Sequence, residues 1–386
     1  MPGARPVLAA VAAALTVALA GCSHGGSTRT PPPPVRLGAL VPLTGSSAPI
    51  GTSMVPAYRM AVDEANRAGG VLGRRVELVT GDDACDPAAA VSHAREMVAD
   101  DIAVSVGGLC SAATVPTLKV FHDAGIPMII PGSNSTELLA PRYDSVFLLA
   151  GTTAIEAQRA VSWMRPLGSR RLVLVDDGTS FATTIAGGAA AAAARQRNGE
   201  LTVAAQLTLS QGASGYPRIV EAVQAAHADM VFFTGYAAEA ATLIRDLRTA
   251  GYTGKIMLSD GGVDPALFTA LDPARAEGVY GLSLPLPQFE PKATAWSASY
   301  KKITGTAPGP FTMQAYDAVK LALDAIRRAG SLDHAKVRAA IVATAPSDVT
   351  LLSGPSTFQA DGTQQPSTFV PLIVHDGAFT PAPVVP

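Results

Sequence analysis

From residue 35 onward, short unbroken apolar runs alternate with longer stretches whose apolar residues recur every three or four positions. The runs "VRLGALVPL" (35–43), "RVELVTGDD" (75–83), "IAVSVGG" (102–108) and "IPMIIPG" (126–132) predict strands. They lack polar alternation, so they read as strands buried on both faces, as in parallel sheets covered by helices. Helices are predicted between them. The first covers 54–70 and stops at Gly69 and Gly70; the second follows Asp86 as N-cap, with Pro87 at the first helical position. A second series repeats the pattern with "RRLVLVDDG" (170–178), an Ala-rich helix around 182–198, "LTVAAQLTL" (201–209), "DMVFFTG" (229–235) and "KIMLSDG" (255–261).

Two such series predict an α/β fold of two doubly wound lobes, divided near 149–153. In the last third, helices are predicted around 292–304, 313–329 and 334–344, followed by the strand-like "TFVPLIVHDG" (368–377). That tail is too short for a third domain and is expected to return and complete the lobes. The first lobe is assigned 35–151 plus about 285–365, the second 152–284 plus about 366–381. Several crossings between lobes make a hinge with a cleft beside it. Ligands in such folds sit at the carboxyl ends of the strands, where "VPLTG", "GGLCS", "PGSN", "TGY" and "SDGG" stand.

Charge narrows the function classes. The 386 residues carry 29 Lys+Arg against 31 Asp+Glu, a net −2 that provides no footprint for nucleic acid. The six histidines are scattered without ligand spacing, which argues against a metal site. The N-terminus reads as an export signal: Arg5, an apolar stretch over 7–20 too short to span a bilayer, and "LAGC" (19–22). That last tetrad resembles the bacterial lipobox, in which the cysteine, here Cys22, carries a diacylglycerol. A Gly/Ser patch and four prolines follow as a spacer over 23–34. The mature chain is therefore expected to be tethered outside the cytoplasm.

With Cys22 lipidated, Cys85 and Cys110 remain in an oxidising compartment. The stretch "GGLCSAAT" (107–114) then has three readings: a Cys110 or Ser111 nucleophile, half of a disulfide, or an anion cradle at a helix start. A nucleophile would need a base, and no nearby histidine presents itself. A bridge would stabilise by roughly 3 kcal/mol on the chain-entropy model. Pro116 places Ser111 at or just before a helix N-terminus, where free N–H groups suit a carboxylate. "PGSNSTEL" repeats the chemistry: Gly132 allows close backbone approach, and Asn134 or Ser135 can cap before Glu137. In the second series, Tyr236 offers a ring face and Asp260 a carboxylate, a seat for an ammonium group; Asp260 could equally be a turn residue of "SDGG". Enzyme signatures are missing: there is no G-x-S-x-G elbow, P-loop, H-E-x-x-H or dinucleotide fingerprint.

These motifs, with "EANRAGGVLGRRVELVTGDDACDP" (64–87) and "TGYAAEAATLIRDLRTAGY" (234–252), resemble the leucine/isoleucine/valine-binding proteins over about residues 35–379. Those are the periplasmic or lipid-anchored receptors of branched-chain amino-acid ABC transporters. The resemblance implies a type I periplasmic-binding-protein fold of Venus-flytrap form, two lobes joined by three crossovers that close over an amino acid. It implies a Cys85–Cys110 disulfide, no cofactor, no catalysis, a membrane permease as partner and a monomeric state. It places the α-carboxylate on Ser111, Gly132 and Asn134, and the α-ammonium on Tyr236 and Asp260. Ile50 and Phe181 stand where relatives carry aromatic wall residues, and Asn134 where they carry threonine. The zwitterion clamp is thus implied more firmly than a branched aliphatic side chain. A sensor presenting its ligand to a signalling partner is the alternative on the same scaffold; a lipid-anchored hydrolase using Ser111 or Cys110 is the alternative of another class.

Overall fold

The computed structural model describes residues 32–196, 200–367 and 369–383. The expected lipidation site, Cys22, lies outside them. The first βα series builds β1 (Val35–Val41), α1 (Ala48–Arg67), β2 (Val76–Asp82), α2 (Pro87–Ala99), β3 (Val104–Ser105), α3 (Ser111–Asp123), β4 (Met128–Ile130) and β5 (Val146–Leu148). All pairings in this sheet are parallel, in the order β2-β1-β3-β4-β5. The interior strand β1 is buried at six of its seven positions, which is why its sequence runs apolar without alternation.

The second series runs α4 (Thr153–Met164), β6 (Arg171–Asp176), α5 (Ser180–Ala194), β7 (Thr202–Thr208), α6 (Pro217–Ala225), β8 (Met230–Phe233), α7 (Ala237–Thr249) and β9 (Lys255–Leu258). Two short helices, α8 (Leu267–Ala270) and α9 (Pro273–Ala276), lead to β10 (Tyr280–Ser283). The chain then returns to the first lobe with α10 (Thr294–Thr304), α11 (Thr312–Ala329) and α12 (His334–Val342), where α11 packs along α1. The hairpin β11 (Thr357–Phe358) and β12 (Gln364–Gln365) docks on β5 through a Leu148–Thr363 bridge. Finally β13 (Val370–His375) and β14 (Ala378–Pro381) join the second sheet antiparallel at β10, giving β14-β13-β10-β9-β8-β6-β7. The chain thus passes between the sheets three times.

Local signals explain the element ends. Asp86 caps α2 by accepting from the Ala89 N–H at 2.8 Å, with Pro87 behind it. Helix α1 ends at Arg67 and is followed by Gly69 and Gly70, both at positive φ. One helix start departs from expectation, and two helices carry an internal proline. Helix α1 begins at Ala48, six residues before the expected start, and continues through Pro56; α3 likewise continues through Pro116 at its sixth position. Each proline removes one N–H and leaves one carbonyl of the preceding turn without its donor, yet the buried apolar face of each helix outweighs that loss. One apolar cluster runs through both lobes across the crossovers, and a separate cluster packs on the far face of each sheet.

Candidate functional site

Both sheets share one parallel order. In the first it is β2-β1-β3-β4-β5; in the second, β7-β6-β8-β9-β10. An order of this type reverses direction beside its first strand, between β1 and β3 in one lobe and between β6 and β8 in the other, and such switch points are where ligands bind. The loops that leave all four of those strands meet across a cleft of about 340 Å³. Ser46, Ser47 and Ile50 follow β1; Cys110 and Ala112 follow β3; Thr179 follows β6; Tyr236 and Glu239 follow β8.

The α3 side is held by the disulfide. Cys85 and Cys110 are bridged with Cα atoms 5.3 Å apart, and both line the cleft. Cys110 therefore has no thiol to attack with, and it occupies the N-cap position of α3 without a side-chain cap. Ser111 is the first helical residue, 1% exposed, and its Oγ accepts from the Ser135 N–H at 3.2 Å. Ala113 and Thr114 donate to the Cys110 carbonyl, while among the described residues the Ser111 and Ala112 N–H groups make no hydrogen bond. Gly132 packs directly on the 108–109 backbone and spends its N–H on the Gly108 carbonyl at 3.0 Å. Ser135, not Asn134, caps the following turn by accepting from the Glu137 N–H.

Asn134 reaches the other lobe instead. Its Nδ2 donates to Asp260 Oδ2 at 3.0 Å, a buried bond between groups 126 positions apart in sequence. Asp260 opens the turn after β9 and is 2% exposed. Its own N–H donates to Glu156 Oε1 at 2.8 Å, and Glu156, in the first turn of α4, is fully buried. Two carboxyl groups this close in an apolar setting cannot both ionise. Burial, then the Asp260 charge, pushes Glu156 well above the usual carboxylate range, and burial lifts Asp260 to about 7. Among the described residues, one oxygen of each of these side chains is buried without a hydrogen-bond partner: Asn134 Oδ1, Glu156 Oε2 and Asp260 Oδ1.

Tyr236 stands at the N-cap of α7 and faces the cleft. Burial, and the charges of Asp177 and Asp260, raise its phenol above the ordinary range. Phe181 lies behind it with ring centroids 5.3 Å apart. The backbone at Gly261 threads between: a Cβ there would fall 2.8 Å from the Phe181 ring and 3.1 Å from the Gly235 carbonyl oxygen.

Of the residues singled out from sequence, Ile50, Tyr236, Cys85 and Cys110 line the cleft. Ser111, Phe181 and Asp260 lie directly beneath it, each adjacent to or packed on a lining residue, while Gly132, on the 108–109 backbone, and Asn134, bonded to Asp260, do not themselves line it. Sequence reasoning missed Glu156, Glu239 and Asp264. Glu156 reads locally as an ordinary first-turn carboxylate of α4, and only the approach of Asp260 makes it part of the site.

A model of the periplasmic binding protein family matches residues 34–373. An amino acid binding protein of Pseudomonas aeruginosa is 29% identical over 307 residues, covering 78% of this chain and 80% of its own length. A leucine-, isoleucine-, valine-, threonine- and alanine-binding protein of the same organism is 27% identical over 308 residues, covering 80% of this chain and 82% of its own. Among solved structures, a leucine binding protein LivK of Thermotoga maritima superposes with a TM-score of 0.82 at 22% identity, over 90% of this chain and 98% of its own, which establishes the shared fold. With a fold of three crossovers, a cleft at both switch points and a family match across most of its length, this chain belongs to the periplasmic binding proteins, solute-binding proteins rather than enzymes.

Proposed function

We propose that this chain is an extracytoplasmic receptor that captures an α-amino acid between its lobes and delivers it to a membrane ABC permease. The observation that carries the reading is the buried Asn134–Asp260 bond between the lobes, where Asn134 Oδ1 and Asp260 Oδ1 accept no hydrogen bond among the described residues. An ammonium group has three N–H donors and no acceptor, so it suits these two oxygens and the single negative charge that the Glu156–Asp260 pair retains. Asp260 supplies the charge, and Tyr236 lines the same cleft from the lobe opposite the carboxylate site. The carboxylate goes to the first turn of α3, where the Ser111 and Ala112 N–H groups and the Ser111 hydroxyl proton are available at the positive helix end. Gly132 fixes the 108–109 backbone on which that turn stands, and Ile50 and Phe181 shape the walls. The names of the Pseudomonas relatives support an amino acid as the class of ligand.

Release at the permease follows from the same geometry. Opening the lobes breaks the Asn134–Asp260 bond and the neighbouring Ser135–Ser180 contact, so a docking partner that favours the open form weakens the clamp. No helix among the described residues is long and apolar enough to cross a membrane. Anchoring through a lipidated Cys22 would keep the receptor beside its permease. The test is titration calorimetry against a full amino-acid panel with wild type, Asp260→Ala and Tyr236→Ala. At least one amino acid binds wild type, and each variant weakens it by about tenfold or more, equivalent to ~1.4 kcal/mol. Wild-type affinity retained by Asp260→Ala sinks the ammonium clamp.

A further inference from the structure

The cleft walls carry two carboxyl groups and no basic side chain among the described residues. Among the described residues lining it, the charged side chains are Glu239 and Asp264, and no lysine, arginine or histidine joins them. Each is 7% exposed. Each spends one oxygen on the backbone: Glu239 Oε1 accepts from the Gly212 N–H at 3.1 Å, and Asp264 Oδ1 from the Ala266 N–H at 2.6 Å. Among the described residues, Glu239 Oε2 and Asp264 Oδ2 accept no hydrogen bond.

This pair is separate from the Glu156–Asp260 pair, whose one proton-equivalent of charge the α-ammonium neutralises. The positive end of α7 offsets part of the Glu239 charge, because Glu239 lies in its first turn, but a helix end is worth about half a charge. No basic side chain in the wall offsets Asp264, and burial raises its carboxyl above the ordinary range, so a cation in the cleft is what favours its ionised form. A branched aliphatic side chain would strip water from both carboxylates and give nothing back, and an unpaired buried charge costs far more than its packing gains. A guanidinium or ammonium supplies the missing charge. The remaining wall suits the stem of such a side chain: Ala84, Ala112, Ala238, Ala266 and Ala270 leave a wide, small-sided channel along which methylenes pack.

Building on the amino-acid reading above, we propose that the captured amino acid carries a positively charged side chain, of arginine or lysine type, held by Glu239 and Asp264. Calorimetry of the mature protein at neutral pH tests this with arginine, lysine, citrulline, leucine, isoleucine and putrescine. Arginine or lysine binds at least about tenfold tighter than citrulline, the neutral near-isostere of arginine, and tighter than leucine. Glu239→Gln and Asp264→Asn each lower the ratio of arginine to citrulline affinity by about fivefold or more, a ratio that a mere loss of folded protein does not change. Leucine or isoleucine binding more tightly than both basic amino acids overturns the charged side chain and leaves the amino-acid reading standing. A ratio unmoved by either substitution overturns the assignment to Glu239 and Asp264. Putrescine bound in preference to every amino acid, or no amino acid bound at all, overturns the underlying reading itself.

Discussion

Replacing Asp260 by asparagine isolates the buried acid pair, because the amide keeps the shape and the acceptor oxygen but cannot ionise. In the unfolded chain Asp260 titrates near 3.8; in the folded chain burial lifts it to about 7. Between those values the folded state holds a proton that the unfolded state has lost, so folding takes up a proton. Stability from this group is therefore greatest at low pH, falls as pH rises through that window and levels off above about 7. A gap of this size, at about 1.4 kcal/mol per pH unit, sets a ceiling of about 4 kcal/mol on the effect. Asp83 and Asp317, each lifted to about 6 by burial, contribute slopes of the same sign, so the wild-type slope alone does not report on Asp260. The difference between wild type and Asp260→Asn does. Urea unfolding followed through Trp163 and Trp296 fluorescence at about pH 5 and pH 8 measures it. Asp260→Asn gains on wild type as pH rises, by about 1–2.5 kcal/mol over that span, since only about two pH units of the window lie within it. A difference that stays constant with pH would refute a proton shared between Glu156 and Asp260. Bound ligand adds a second signature, since an ammonium favours the ionised carboxyl: binding releases a proton near neutral pH, visible as a dependence of the calorimetric heat on buffer ionisation enthalpy.

Reduction of Cys85–Cys110, or its replacement by serines, removes roughly 3 kcal/mol of stability on the chain-entropy model and lowers the thermal midpoint. Because both cysteines line the cleft, ligand affinity falls as well, which calorimetry with and without reductant resolves. Gly261→Ala drives a methyl to 2.8 Å from the Phe181 ring, and overpacking of this kind costs about 1–3 kcal/mol. The strain is relieved by moving Phe181 against Tyr236, so ligand affinity drops more than stability; Gly261→Ala with Phe181→Leu recovers part of it.

Much of the architecture was legible from patterning because burial on both faces leaves its mark residue by residue. The apolar runs of β1, β6 and β8 and the caps at Asp86 and Gly69 are local facts that need no knowledge of neighbours. The helices of the last third also fall where periodicity puts them, at Thr294–Thr304, Thr312–Ala329 and His334–Val342. Pro116 rightly put Ser111 at the start of α3, whereas α1 begins six residues before the expected 54, because the tertiary packing that sustains its first turns is not visible in sequence.

The site divides along the same line. Motif and cysteine count bring Ser111, Tyr236, Asp260 and the Cys85–Cys110 pair to attention, each from a few neighbouring letters. Sequence alone determined the two βα series, the placing of candidate ligand groups at strand ends and the availability of one cysteine pair. Only the tertiary structure decided that Asn134 meets Asp260, that Glu156 shares its burial, and that Glu239 and Asp264 face one cleft without a cation. These are encounters between residues on different strands and lobes. Strand order and the three crossovers set them, and no local pattern of polarity records which strand ends will face each other once the sheets are wound.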